Sequence, residues 1–147
     1  MSQIKVLLCV LGNDIHVVAN RMLEILCVEQ GCQTRNLGAL SATDEILQEI
    51  ELFRPALVLV STLNGQGYFE AKKLMNQLRA RKSQTIRPDM WIGGNLFVGD
   101  YDDRDARRYL EMGFDQVFSR PTDFSVFTAA LGDFIGARHS AVENACQ

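Results

Sequence analysis

Ile4-Lys-Val-Leu-Leu-Cys-Val-Leu11 (IKVLLCVL) decides the fold. The run is aliphatic with no polar face. It ends at Gly12-Asn13-Asp14, and Val17 to Gln30 follows with Val18, Met22, Ile25 and Leu26 at helical spacing until Gly31. A strand apolar on both faces needs a covering layer on each side, which is the condition of a strand inside a parallel sheet. The same texture recurs along the chain. Cys32 to Leu37 reads as a weak second strand, and Ser41 to Phe53 as a helix opened by Ser41-Ala-Thr-Asp. Beyond Pro55, Ala56 to Ser61 (ALVLVS) is a third strand, again apolar on both faces. Gly65 and Gly67 loosen the next turn, and Phe69 to Arg81 forms a basic-faced helix. Met90 to Ile92 enters a fourth strand closed by Gly93-Gly94, and Asp102 to Met112 is a helix ended by Gly113. Phe114 to Phe118 is the fifth strand and Thr122 to Ile135 the last helix. Residues 136–147 lack periodicity and are expected to fray, which sets a domain at 1–137 and a flexible tail at 138–147.

Five strand-then-helix units with right-handed crossovers predict an α/β fold: one domain, with a doubly wound, five-stranded parallel sheet. Five strands favour the flavodoxin-like order. Ligands of such sheets sit at the carboxyl ends of the strands, where strand order reverses. The loops after strands one, three, four and five are therefore where function is sought.

Composition narrows the classes. The 147 residues suit one domain, and 47% hydrophobic with 22% charged residues is an ordinary globular balance. Eighteen acids against fifteen bases give a net charge of −3, which argues against a nucleic-acid partner. No apolar run approaches the roughly 20 residues that span a bilayer. Met1 to Lys5 begins no signal peptide, so a cytoplasmic protein with no membrane partner is expected. Cys9, Cys27, Cys32 and Cys146 form no CxxC pair, which makes zinc improbable and four free thiols the default. Cys9 lies in an apolar run and reads as a small buried hydrophobe. The basic face around Lys72, Lys73, Arg79, Arg81 and Lys82 reads as solvated.

After strand one comes Gly12-Asn13-Asp14-Ile15-His16. Turn chemistry explains it in part: Gly and Asn bend the chain, Asp14 caps the helix, and a first-turn His is often incidental. Yet the loop sits at the binding edge, and Asp14 is spaced to accept a hydrogen bond from one imidazole nitrogen of His16. The other nitrogen is left free, the carboxylate–imidazole–metal arrangement. One such ligand cannot hold a bare ion, but it can hold a metal already chelated by a macrocycle. After strand three, Ser61-Thr62-Leu63-Asn64-Gly65 either ends a strand or lets a flat cofactor approach. After strand four, Gly93-Gly94-Asn95 removes side chains and suits the close approach of a bulky ligand. No GxGxxG follows strand one and no GxxxxGK[ST] occurs, so dinucleotide and P-loop sites are unsupported. A receiver domain would need an Asp ending strand three and a Lys ending strand five. Ser61 and Arg120 stand there, beside Asn13-Asp14 after strand one, and that reading fails.

Taken in order, these loops resemble the cobalamin-binding domain family, with its DxHxxG, SxL and GG pattern. Asp14-Ile-His16-Val-Val-Ala19-Asn20, Ser61-Thr62-Leu63 and Gly93-Gly94-Asn95 carry the resemblance, which runs from Ile4 to Phe134. Within that family the chain looks like the small subunits of glutamate (methylaspartate) mutases. Leu63-Asn-Gly-Gln-Gly67 and Met112-Gly-Phe-Asp115 share that likeness. Ala19 departs from the final Gly of the first motif, and Arg120-Pro121-Thr122 from the Pro-Gly-Thr expected after strand five.

The resemblance implies adenosylcobalamin as cofactor, with His16 as the axial ligand to cobalt and Asp14 fixing its tautomer. It implies contacts to cobalamin from Asn13, Ile15 and Val17, and Ser61, Thr62 and Leu63 beside the displaced benzimidazole. Gly93, Gly94, Asn95, Leu96 and Phe97 would line the pocket for the nucleotide tail. It implies an isomerase interconverting L-glutamate and threo-3-methylaspartate through a radical made by cobalt–carbon homolysis. No further catalytic residue is expected in this chain. The substrate would bind a separate, large barrel-type subunit, in a heterotetramer. Two other readings stay open: a corrinoid carrier for methyl transfer, and a non-catalytic cobalamin sensor or store. Carriers place a helical cap ahead of this module, whereas strand one here begins at Ile4.

Overall fold

The central strands form where apolar residues run together, while the polar Gln33–Asn36 joins as an edge strand. In the computed structural model, which describes residues 3–11, 18–62, 67–81, 87–94, 103–118 and 124–145, the elements alternate without exception. They are β1 (Lys5–Val10), α1 (Val18–Glu29), β2 (Gln33–Asn36), α2 (Thr43–Phe53), β3 (Leu57–Thr62), α3 (Gly67–Ala80), β4 (Asp89–Gly94), α4 (Asp103–Glu111), β5 (Gln116–Phe118) and α5 (Phe124–Ala145). All strand pairs are parallel, in the order β2-β1-β3-β4-β5. This is the flavodoxin-like order expected, and strand order reverses between β1 and β3.

Alternation along the central strands divides the core in two. Leu7, Cys9, Leu11, Val58, Val60, Met90 and Ile92 face α2, α3 and α4. Val6, Leu8, Leu57, Leu59 and Trp91 face α1 and α5. On that second side Trp91 stacks edge-on with Phe127 and Phe134 of α5, at ring separations of 6.0 and 5.7 Å. Helix α1 ends in a Schellman motif. Gly31 takes φ +87°, its N–H reaches the Val28 carbonyl at 3.0 Å, and the Cys32 N–H reaches that of Cys27 at 3.0 Å. The two thiols meet as the apolar pair that closes this motif, in the core beneath α1.

Three expectations need correction. On α1, Val18, Met22 and Ile25 point to solvent, at 75%, 43% and 55% exposure, while Asn20 and Cys27 are the buried residues. The periodicity is real, but the face that packs on the sheet carries Asn20, Leu23, Leu26 and Cys27, with Leu23 and Leu26 partly buried against the core. Ser41 does not cap α2. Ala42 holds that position with no side-chain bond, and Ser41 is spent on β1. Helix α5 continues to Ala145 rather than ending at Ile135, so position 137 falls inside a helix.

Burial sets the thiol chemistry. It pushes Cys9 up to about 12, helped by the nearby Glu45 carboxylate. Cys27 is also pushed up to about 12, by burial first and then by Cys32 and Glu24. Both stay neutral in the folded chain, whereas the unfolded chain loses these protons near 9.0. Their contribution to stability is therefore complete below pH 9 and is lost as pH rises from there towards 12. Urea midpoints measured across that interval are expected to fall, and to fall less steeply in Cys27→Ala. A midpoint slope unchanged by that substitution would contradict this assignment.

Candidate functional site

Parallel register brings the ends of three strands to one level. Val10 of β1 pairs with Ser61 of β3, Ser61 with Gly93 of β4, and Thr62 with Gly94. The Leu11 N–H continues the ladder to the Ser61 carbonyl at 3.0 Å. Four residues predicted for the site, Ser61, Thr62, Gly93 and Gly94, thus form a contiguous block at the carboxyl edge, beside the point where strand order reverses. Asn13, Asp14, Ile15, His16, Val17, Leu63, Asn95, Leu96 and Phe97 lie outside the described residues.

The two sides of this block differ in character. Alternation puts Ser61 and Gly93 on the α1/α5 side, directly beyond Leu59 and Trp91. The last layer there carries one hydroxymethyl group and one hydrogen where the layer below carries an isobutyl and an indole. On the other side Thr62 and Gly94 meet α3. A Cβ on Gly67, the first residue of α3, would come within 2.5 Å of the Thr62 Oγ1. Gly67 was expected to loosen a turn; instead it lets α3 begin hard against the end of β3.

Gly94 has its own reason. It sits at φ +117°, and a Cβ there would lie 1.9 Å from the Thr62 carbonyl oxygen. That absent side chain answers to the neighbouring strand before it answers to any ligand. Gly93 differs: its added Cβ would touch the Phe118 Cβ at 3.3 Å, a contact that can yield. Of the pair, Gly93 is the one whose smallness answers to Phe118 of β5 rather than to β3.

Sequence reasoning missed a polar element at the same edge. Asn20, in the first turn of α1, is fully buried, and its Oδ1 accepts from the Asn36 Nδ2 at 2.5 Å. The Gly38 N–H donates to the Asn36 Oδ1, which fixes the orientation of both amides. The Asn20 Nδ2 then has no acceptor among the described residues. An Asn inside a helix that otherwise reads as apolar was the only available signal. The described residues hold no cluster of His, Cys, Asp or Glu able to bind a metal ion, and none of their helices is long and apolar enough to cross a membrane.

A family model described as the B12 binding domain matches residues 4–122. The chain is 32% identical over 117 residues to the glutamate mutase sigma subunit of Treponema denticola, covering 79% of this chain and 83% of that one. It is 30% identical over 137 residues to the glutamate mutase sigma subunit of Carboxydothermus hydrogenoformans, covering 92% and 98%. Among solved structures it is similar to the Methanosarcina barkeri monomethylamine corrinoid protein. That match has a TM-score of 0.69 at 20% identity over 87% of this chain and 56% of the other, a likeness of fold.

The two glycines separate in a folding experiment. Gly94→Ala combines a backbone region that side chains avoid with a backbone collision, and is expected to cost more than about 3 kcal/mol. Gly93→Ala is expected to cost about 1–2 kcal/mol. Chemical denaturation of the two variants checks the order; equal losses would contradict the roles given to them.

Proposed function

This chain belongs to the B12-binding domain family, and from that premise we propose that it is the cobalamin-binding subunit of a glutamate mutase. The observation that carries the reading is the similarity to sigma subunits along nearly their whole length, 98% in one case. The corrinoid-carrier alternative has only likeness of fold in its favour. The activity is an isomerisation, L-glutamate to threo-3-methylaspartate and back, and it needs a partner catalytic subunit. We take that partner to be a barrel-type chain that binds the substrate, in a heterotetramer, and the cofactor to be the adenosyl form.

The residues at the carboxyl edge fit such a group. The small pair Ser61 and Gly93 leaves room on the α1/α5 side, and an orphaned amide donor at Asn20 lies at the same edge. In this reading Ser61, Thr62 and Leu63 border the benzimidazole and Gly93 to Phe97 the nucleotide tail. Asn13 to Val17 contact the corrin side. Adenosylcobalamin, when bound, makes available a carbon radical through homolysis of its cobalt–carbon bond.

This chain's own work is binding and orientation. His16 would hold the cobalt of the bound group through one imidazole nitrogen, and Asp14 would accept a hydrogen bond from the other, fixing the tautomer and raising basicity. The sheet edge excludes water from the tail. The partner then covers the opposite face and brings the substrate.

Two measurements test this. Electron paramagnetic resonance of the cob(II)alamin complex, made with ¹⁵N-histidine-labelled chain, is expected to show coupling to one protein nitrogen. His16→Ala should abolish the coupling, and Asp14→Asn should weaken binding by ~10–100-fold without abolishing it. Absence of coupling in the unsubstituted chain would remove His16 from cobalt. Separately, mutase turnover is expected only when the partner subunit and adenosylcobalamin are both supplied. Turnover by this chain alone would overturn the two-subunit reading.

A further inference from the structure

A continuous chain of hydrogen bonds joins the two ends of the 12–17 segment by way of the neighbouring strand. It starts at Asn20, in the first turn of α1, whose Oδ1 accepts from the Asn36 Nδ2 at the end of β2. The Asn36 Oδ1 accepts from the Gly38 N–H at 2.9 Å. The Gly38 carbonyl accepts from the Ser41 hydroxyl at 3.0 Å, and the Ser41 Oγ in turn accepts from the Val10 N–H at 3.3 Å. The Ser41 N–H returns a bond to the Val10 carbonyl at 2.9 Å. The path therefore ends on the last residue of β1.

Several features of the loop make sense only in this light. Strand β2 stops at Asn36, yet Ser41 rejoins the ladder beside Leu11, as though the strand resumed after an excursion. Two residues inside the excursion take positive φ, Gly38 at 74° and Leu40 at 59°. A leucine in that region is strained and is stable only when its neighbours over-determine it. Leu40 is also 54% exposed, so packing does not repay the strain. What the geometry achieves is delivery of the Ser41 hydroxyl and amide to Val10, at the cost of the helix cap that Ser41 would otherwise supply.

We propose that Asn20, Asn36 and Ser41 form a polar clamp that fixes where the 12–17 segment leaves β1 and enters α1, making Asn20 a positioning residue for His16. The proposal rests on the reading of His16 as axial ligand. It assigns three residues of this chain that touch no metal to the accuracy with which that ligand is held. The Asn20 Nδ2 remains as a further buried donor beside the same segment.

The test loads ¹⁵N-histidine-labelled chain with cob(II)alamin in the presence of the partner subunit. Asn20→Ala and Ser41→Ala are each expected to bind at least about ten-fold more weakly, the scale on which outer partners act on metal ligands. Each should also lose most of the protein-nitrogen coupling. Leu78→Ala, buried at the far end of α3, serves as a stability control and should keep both signals. Wild-type affinity and coupling in Asn20→Ala and Ser41→Ala would overturn the clamp, as would an equal loss in Leu78→Ala. If the unsubstituted chain shows no coupling, the ligand reading has failed instead, and the clamp is then judged without cofactor. Amide hydrogen exchange across 12–18 should be about ten-fold faster in Asn20→Ala than in the unsubstituted chain, and equal rates would overturn it.

Discussion

The carbonyl oxygen of Thr62 occupies the space in which a side chain at position 94 would begin. That one contact holds the ends of β3 and β4 at a common level, and the carboxyl edge is organised around it. With Thr62 opposite Gly94, register puts Ser61 opposite Gly93, and Val10 opposite Ser61 on the other flank. On the α3 side the Thr62 side chain is in turn closed over by Gly67. One threonine thus meets two glycines on different elements, and both must be glycine for β3, β4 and α3 to converge as they do.

Convergence on one side leaves the other open. The α1/α5 side is densely filled up to Trp91, where an indole stacks among three phenylalanines. It then stops at a serine and a glycine. The core there changes within one residue step from indole to hydrogen, with Phe118 against the glycine. Helix α1 follows the same logic. It turns Asn20 and Cys27 towards the sheet, packs Leu23 and Leu26 against the same core, and leaves Val18, Met22 and Ile25 to solvent.

The polar path from Asn20 to Val10 adds a second kind of order to this edge. Packing holds the strand ends in place, but β1 and α1 are joined there by a connection whose ends packing alone locates loosely. Hydrogen bonds from β2 and its loop supply the missing constraint, because each bond has a direction as well as a length. Burial makes that direction costly to lose, since a stranded amide or hydroxyl costs about 1–3 kcal/mol.

The sequence by itself determined the class and order of the fold. Three strongly apolar runs and two weaker ones, punctuated by glycine and proline and alternating with helical spacing, leave few arrangements open. The motif residues Asp14, His16, Ser61 and Gly93-Gly94 could be picked out as candidates because the motifs set residue types at particular loop positions. Which face of α1 is buried was not legible, since spacing tells that a helix has two faces but not which of them a sheet will accept. The roles of Gly67, Gly94 and Ser41 were not legible either. Each is set by a partner distant in sequence or fixed by register: Thr62 for the two glycines, Val10 for the serine. The Asn20–Asn36 pair belongs with them. A polar residue advertises that it needs a partner, but only the tertiary structure decides which one, because hydrogen bonds and steric exclusion act between atoms brought together by the fold rather than by the chain.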